Sequence, residues 1–447
     1  MYAAPLPGWL FRTGSILVFK YRRFACVVIS VISMEHTPLK KHKHPDNVKP
    51  QPPVLYGLVA LLLRPYLRLR YGFRRPKSLP IRGERGPVTV LGNHASNIDF
   101  LFAVAALYPK RLNFLVSAYF FNQKPLCYLL RFMHCVRKEQ FTADVAAIRD
   151  MRALVSAGGS ILLYPEGEVN GTGRTGAFPE STARLCKLLK APVYAVRTKG
   201  SYLTRPKWGP SRRRGRVETD VTLVATAEEL PTLSNEALYA RIQAGIFQDE
   251  YAWQAQARVP FHAKNPAEGL HLMLYRCPKC GREFAMRTEG NAIFCTACGN
   301  RGLMDGCGFL SPAGPEDVIP ASPLAWVDFE REALRDEMRA PDYRMAAPCS
   351  LQYHTDAHAL NHVDVGEGVV TLDRSGISYE GTAEGAPISL HFPLVDLYKL
   401  PFAAGRRFEL PPAARVTAIR THEPGAIWKF VLALPLMKAT VRAAADG

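Results

Sequence analysis

The sequence predicts an α/β fold with a mixed sheet, followed by a compact cysteine-bearing segment and a β-rich tail. Three observations lead there. From about residue 86 to 250, short apolar runs alternate with stretches of helical spacing, the pattern of strands joined by crossover helices. Two Cys-x-x-Cys pairs, Cys277/Cys280 and Cys295/Cys298, stand 14 residues apart. Beyond residue 349, runs such as GEGVVTL, GISYEG and ISLHF are separated by turn residues. A chain of 447 residues exceeds one ordinary core. The expected regions are an arm over 1–53, an α/β domain over 54–255, a cysteine ribbon over 275–310 and a β-rich domain over 349–447.

The arm is basic. Residues 1–80 hold 14 Lys or Arg against 2 Asp or Glu, within a formal net charge of +18. Such a segment suits an anionic surface, lipid or nucleic acid, or is a solvated arm. Phe24–Ser33 is about half the length of a spanning helix and follows Lys20, Arg22 and Arg23. It reads as signal-like without a clear cleavage site, or residues 1–33 precede a true start at Met34. Residues 35–53 are rich in Pro, Lys and His and read as a linker; His42 and His44 there fit a polar tract better than a metal site. Residues 54–72 combine ten mainly apolar residues with Arg64, Arg68 and Arg70. The segment fits either a helix in the headgroup layer or an amphipathic helix packed on the domain, kinked or split at Pro65.

In the α/β region, Pro87–Leu91, Asn113–Ser117, Ser160–Tyr164, Pro192–Val196 and Val217–Val224 are strand-like. Ile98–Tyr108, Val145–Ala157 and Glu180–Lys190 have helical spacing. Arg212–Arg214 reads as a basic loop that touches headgroups or, better, is simply solvated, and Asp328–Arg339 as a charged helix in a linker. The closing run IWKFVLALPLMK is counted with the tail strands, although its length also suits a helix.

Asn93-His94-Ala95-Ser96-Asn97-Ile98-Asp99 follows the first strand. A neutral imidazole suits proton abstraction from a hydroxyl near pH 7. A carboxylate on its far ring nitrogen fixes the tautomer and stabilises the imidazolium. Ser96 followed by Asp99 is a helix-start signature, which puts His94 on the loop and Asp99 in the first turn. The spacing alone is not decisive, because His391 and Asp396 repeat it in the tail. At 94–99 it also fits a buried histidine and a capping aspartate. Tyr164-Pro165-Glu166-Gly167 ends a strand, where ligands of open α/β sheets bind. Asn170-Gly171-Thr172-Gly173-Arg174 adds a Gly-rich loop whose N–H groups and Arg174 suit a phosphate, or form a plain turn.

Together these blocks resemble the glycerol-phosphate and lysophospholipid acyltransferase family over about residues 55–250. Residues 93–99 match its N-H-x-S-x-x-D block, and Tyr164-Pro165-Glu166-Gly167 the start of its F-P-E-G-T-R-S block. His134–Lys138 falls where a further block supplies an arginine, and Ala191–Val196 where an apolar strand with proline closes the set. The resemblance implies His94 as general base, Asp99 as its orienting partner, Glu166 and Gly167 in the acceptor pocket, and Arg137 on the acceptor phosphate. It implies acyl-CoA or an acyl carrier protein as donor and a lysolipid as acceptor. Glu168 and Val169 depart from the Thr and Arg that the family usually has there.

The cysteine pairs can place four thiolates around one tetrahedral Zn²⁺, a closed and hence structural site. Gly281 and Gly299 follow the pairs, as tight turns need, and Cys307 reads as a free thiol. Scattered remaining cysteines argue a reducing compartment. The tail resembles pleckstrin-homology-like modules. The sequence therefore points to a peripheral enzyme on the cytoplasmic face of an anionic membrane, acylating a lysophospholipid-type hydroxyl. The alternative is a catalytically inactive acyltransferase-like adaptor working through its ribbon and tail. Nucleic-acid binding is disfavoured, because the basic excess lies away from the ribbon.

Overall fold

A computed structural model describes residues 48–139, 144–210, 212–354, 362–411 and 417–446. The basic arm up to residue 47, with Cys26, Met34, His42 and His44, lies outside the described residues.

The α/β region is a six-stranded sheet of order β3-β2-β4-β1-β5-β6. Its strands are β1 (Thr89–Gly92), β2 (Leu112–Ser117), β3 (Val136–Lys138), β4 (Ser160–Leu163), β5 (Val193–Lys199) and β6 (Glu218–Ala225). All neighbours are parallel except β5 and β6. The helices are α1 (Pro53–Tyr71), α2 (Asp99–Leu107), α3 (Leu126–Phe132), α4 (Val145–Ser156), α5 (Ser181–Leu189), α6 (Ser201–Thr204), α7 (Asn235–Ile246) and α8 (Glu250–Ala257). Side chains alternate across a strand, and both faces are covered. Val90, Leu162, Tyr194 and Val196 meet α1 and α2. Leu91, Ile161, Leu163, Val193 and Ala195 meet α4, α5 and α7. This two-sided burial explains why the strands read as continuous apolar runs.

Of the kink or split expected at Pro65, the split is absent: helix α1 runs unbroken from Pro53 to Tyr71. It buries Tyr56, Ala60, Leu67 and Tyr71, while Val54, Leu58, Leu61 and Leu69 face outward. Among the described residues no helix is long and apolar enough to cross a membrane.

The cysteine segment is a four-stranded antiparallel sheet, β7 (Met286–Glu289), β8 (Ala292–Cys295), β9 (Arg301–Met304) and β10 (Leu310–Pro312), in order β10-β9-β8-β7. Helix α9 (Pro323–Glu337), started by the Ser322 side chain, follows; it begins five residues before the expected charged helix. The tail sheet has order β14-β13-β12-β11-β17-β16-β15. These strands are β11 (Met345–His354), β12 (His362–Leu372), β13 (Gly376–Ala383), β14 (Ala386–Pro393), β15 (Phe402–Ala403), β16 (Arg407–Leu410) and β17 (Thr417–Thr421). The closing run is not a strand: α10 (Ala426–Asp446) covers it and packs Phe430 against Phe408 of β16. Twenty-one residues is a helix length, well beyond an ordinary strand.

Ribbon, α9 and tail do not have separate cores. One buried cluster runs from Trp208 through Tyr275, Cys277 and Trp326 to Leu351, Phe408 and Met437. Polar ties reinforce it: Lys429 of α10 bonds Glu283 at 2.7–2.8 Å, and Trp326 Nε1 donates to the Arg276 carbonyl at 2.8 Å. Arg213 belongs to the same interior. It lies over the Trp208 ring and donates to the Pro266 carbonyl at 2.6 Å, which corrects the reading of Arg212–Arg214 as a wholly solvated run.

Candidate active site

Strand β1 ends at Gly92, and the chain turns at Asn93. Asn93 donates to the Thr198 carbonyl at 2.9 Å and accepts from the Thr198 N–H at 2.7 Å, tying the turn to β5. His94 follows, with Asp99 as the first residue of α2. His94 Nδ1 and Asp99 Oδ2 are 3.1 Å apart. Asp99 is fully buried and held from several sides. Its Oδ2 accepts from the N–H groups of Ala95 and Ser96 at 2.6 and 2.8 Å. Its Oδ1 accepts from the hydroxyls of Ser96 at 2.9 Å and Ser201 at 2.5 Å. Capping and histidine contact are thus one arrangement: the bonds that close the helix start also fix the carboxylate beside the imidazole.

The imidazole stacks on Tyr164, ring centroids 4.5 Å apart. Gly92 makes room for this, since a Cβ there would stand 2.7 Å from the Tyr164 ring. The His94 side chain keeps 21% of its surface, so one ring edge meets solvent. Glu166 comes from the turn after β4. Its Oε1 accepts from the His94 N–H at 2.6 Å and its Oε2 from the Gly176 N–H at 2.8 Å. Burial pushes this carboxyl up to about 7, against the pull of those two N–H groups, His94 and Lys399. Gly167 takes the left-handed conformation that lets the chain leave Glu166.

Helix α8 supplies a second buried carboxylate. Glu250 accepts from the Gly200 N–H through both oxygens, at 3.0 and 2.7 Å. Burial pushes it to about 8, helped by the negative charge of Asp99.

Other residues singled out in the sequence lie elsewhere. Arg137 is buried on β3, three strands from β1, with its guanidinium on Glu139 at 2.6 Å. Arg174 bonds Asp249 at 3.0 Å and Asp328 of α9 at 3.2 Å. No bond or ion pair among the described residues links either arginine to His94. The second His-x4-Asp match forms no pair: His391 on β14 bonds Ser378 at 2.9 Å, and Asp396 sits in the following turn. Glu168, the departure from the acyltransferase block, lies between two lysines, 3.0 Å from Lys207 and 3.5 Å from Lys399.

Residues 74–199 match the family model Acyltransferase. The segment is an acyltransferase-family domain. Every residue of the His94–Glu166 cluster lies within it. No curated protein matches the chain. Among solved structures the chain is similar to the 1-acyl-sn-glycerophosphate (LPA) acyltransferase PlsC from Thermotoga maritima. That likeness has 14% identity and a TM-score of 0.39, over 55% of this chain and 93% of that one. Ser201, just beyond the matched segment, and Glu250, much later on α8, complete the surroundings of the His94–Asp99 pair. Ser201 follows the end of a strand, the signal that could have found it. Tyr164 lay inside a recognised block, but nothing in the sequence announced its stacking.

The four paired cysteines converge, with sulfur atoms all within 4.8 Å of one another. Cys277 and Cys298 sulfurs are 3.7 Å apart, and those of Cys280 and Cys295 3.8 Å. A tetrahedron with metal–sulfur bonds of about 2.3 Å has edges of about 3.8 Å, so the set fits such an ion. Gly281 and Gly299 have φ of 72° and 74°, and their N–H groups close each knuckle on Cys277 and Cys295. Cys307 stands outside the cluster.

Proposed function

We propose that this chain moves a fatty-acyl group from an acyl thioester, acyl-CoA or acyl carrier protein, to a hydroxyl of a lysophospholipid or glycerol-phosphate-type acceptor. The observation that carries the reading is the His94–Asp99 pair beside Glu166, at the carboxyl end of the sheet and inside the segment that matches the family. With Nδ1–H held by Asp99, Nε2 takes the acceptor's hydroxyl proton. The oxygen then bonds the thioester carbonyl carbon, the carbon–sulfur bond breaks, and the proton passes from the imidazolium to the departing thiolate. Glu166 is a positioning residue, because its carboxylate holds the His94 backbone. Four thiolates leave no open coordination position, so Zn²⁺ at the cysteine cluster is structural. The exposed leucines of α1, with the basic sequence before it, support a position on an anionic membrane surface.

The test is lipid product analysis with purified protein, labelled acyl-CoA and a panel of lysolipids. Wild type yields acylated product, and His94→Ala lowers turnover by at least about 10³-fold with an unchanged circular dichroism spectrum. Asp99→Asn loses most of the rate as well, because it frees the tautomer. A fully active His94→Ala protein contradicts the mechanism. A wild type that binds vesicles but acylates nothing in the panel favours the inactive adaptor.

A further inference from the structure

The turn that carries Glu166 is covered by residues more than two hundred positions later in the chain. Lys399, between β14 and β15, donates to the Glu166 carbonyl and pairs with Glu168 at 3.5 Å. An ammonium has three donors, so it can serve a carbonyl and a carboxylate together. Lys207 reaches the same loop from within the α/β region, bonding Glu168 at 3.0 Å and the Val169 carbonyl at 3.1 Å. The Lys207 ammonium also lies 3.6 Å from the centre of the Phe402 ring of β15, so one lysine joins loop and tail. A Cβ at Gly171 would stand 3.1–3.2 Å from Met273, Phe402 and Trp428. The tail and the segment before the ribbon therefore rest directly on the loop backbone.

We infer that Lys399 is a positioning residue for acyl transfer, through which the C-terminal region holds the Glu166–Gly171 loop in its working conformation. The inference rests on the proposed reading of His94 and adds a dependence of that site on the tail. The connection is continuous: Lys399 fixes the Glu166 carbonyl and Glu168, the fixed turn aims the Glu166 carboxylate, and that carboxylate holds the His94 N–H. Glu168 thereby has a use. An arginine or a neutral residue there would lose the ionic seat for both lysines. The Lys207 ammonium is largely buried, and a buried ammonium needs such a carboxylate.

The experiment uses the full-length protein with Lys399→Met, Lys399→Arg and Glu168→Gln. Turnover, donor KM, thermal midpoint and hydrogen exchange of residues 164–176 are measured for each. Lys399→Met is expected to lower kcat about tenfold or more, with donor KM within about twofold. It should speed exchange in 164–176 and leave the midpoint within about 2 °C, while Lys399→Arg restores at least half the rate. Wild-type turnover and exchange in Lys399→Met overturn the inference. So does an equal loss in Lys399→Arg, or a fall in rate without faster loop exchange. If Lys399→Met does not fold, Glu168→Gln decides by the same criteria for rate and exchange. If wild type acylates no acceptor, the proposed function fails, and the exchange data alone decide whether Lys399 clamps the loop.

Discussion

Asp99 accepts from two backbone N–H groups and two hydroxyls besides the imidazole, so its orientation is set before any substrate arrives. Ser201 is the member of that shell without a helix-capping role. Ser201→Ala removes one charge-assisted hydrogen bond, worth about 1.5–3 kcal/mol. A fall in kcat of about tenfold or more is expected, with the fold intact; a rate within twofold of wild type would show that the backbone donors suffice. The buried glutamates set a pH dependence of stability. Glu166 and Glu250 are held near 7 and 8, above the ordinary value of 4.5. The folded chain therefore keeps protons that the unfolded chain has already released. Their contribution is complete below about pH 4.5 and is lost as pH rises toward 8. Urea midpoints should fall across that window, and Glu250→Gln should flatten the fall between about pH 7 and 8. An unchanged slope in that variant removes Glu250 from the account. His94, Asp99 and Glu166 were legible because short-range spacing and a strand end define them. Lys399 was not, because no local pattern records a contact across 233 residues.

Among elements, those the sequence displayed best are the central strands, whose two covered faces leave unbroken apolar runs. Helices α7 and α8 are short and mix polar with apolar positions; the core face of α7 is only Leu238, Ile242 and Ile246, at four-residue spacing. Helix α10 reads as a strand over IWKFVLALPLMK because its dense apolar residues hide the 3.6 period. Helix α1 shows the opposite case, with two apolar stripes on one rod. One stripe fills the core beside α2. The other presents Val54, Leu58, Leu61 and Leu69, at helical spacing, to the outside. Arg64 is turned to the protein, on the carbonyls of Ala105 and Tyr108 at 3.1 and 3.0 Å, so the outer stripe rather than that arginine carries the membrane proposal. Burying one leucine is worth about 1.5–3 kcal/mol at most. Replacing Leu58, Leu61 and Leu69 together by Ser should weaken binding to anionic vesicles at least about 100-fold in a sedimentation assay. Thermal stability should hold, since these side chains leave no cavity. Undiminished binding would assign membrane contact to another part of the chain.

At the scale of the whole molecule, the expected regions 275–310 and 349–447 were separable in composition but share one interior. Tyr275 and Cys277 lie in the same buried cluster as Leu351 and Phe430. Composition marks where a segment changes character, and says nothing of which surfaces then fuse. The fusion has a consequence for metal loss. Thiolate coordination supplies much of the folding free energy of a small ribbon, and here the ribbon is one wall of the tail's core. Met273, just before the ribbon, also touches the loop at Gly171. Removing an ion held there should therefore loosen the tail and, beyond it, the loop over 164–176. Cys280→Ser with Cys298→Ser changes the two exposed ligands and leaves the buried pair in place. Bound metal should fall from one zinc per chain to none. The unfolding midpoint should drop by about 10 °C or more, as expected for a loss of several kcal/mol. Hydrogen exchange should rise both in β11–β17 and in residues 164–176. If the metal-free protein shows faster exchange in 275–310 alone, the ribbon is an independent unit, and the shared core does not couple it to the loop over 164–176.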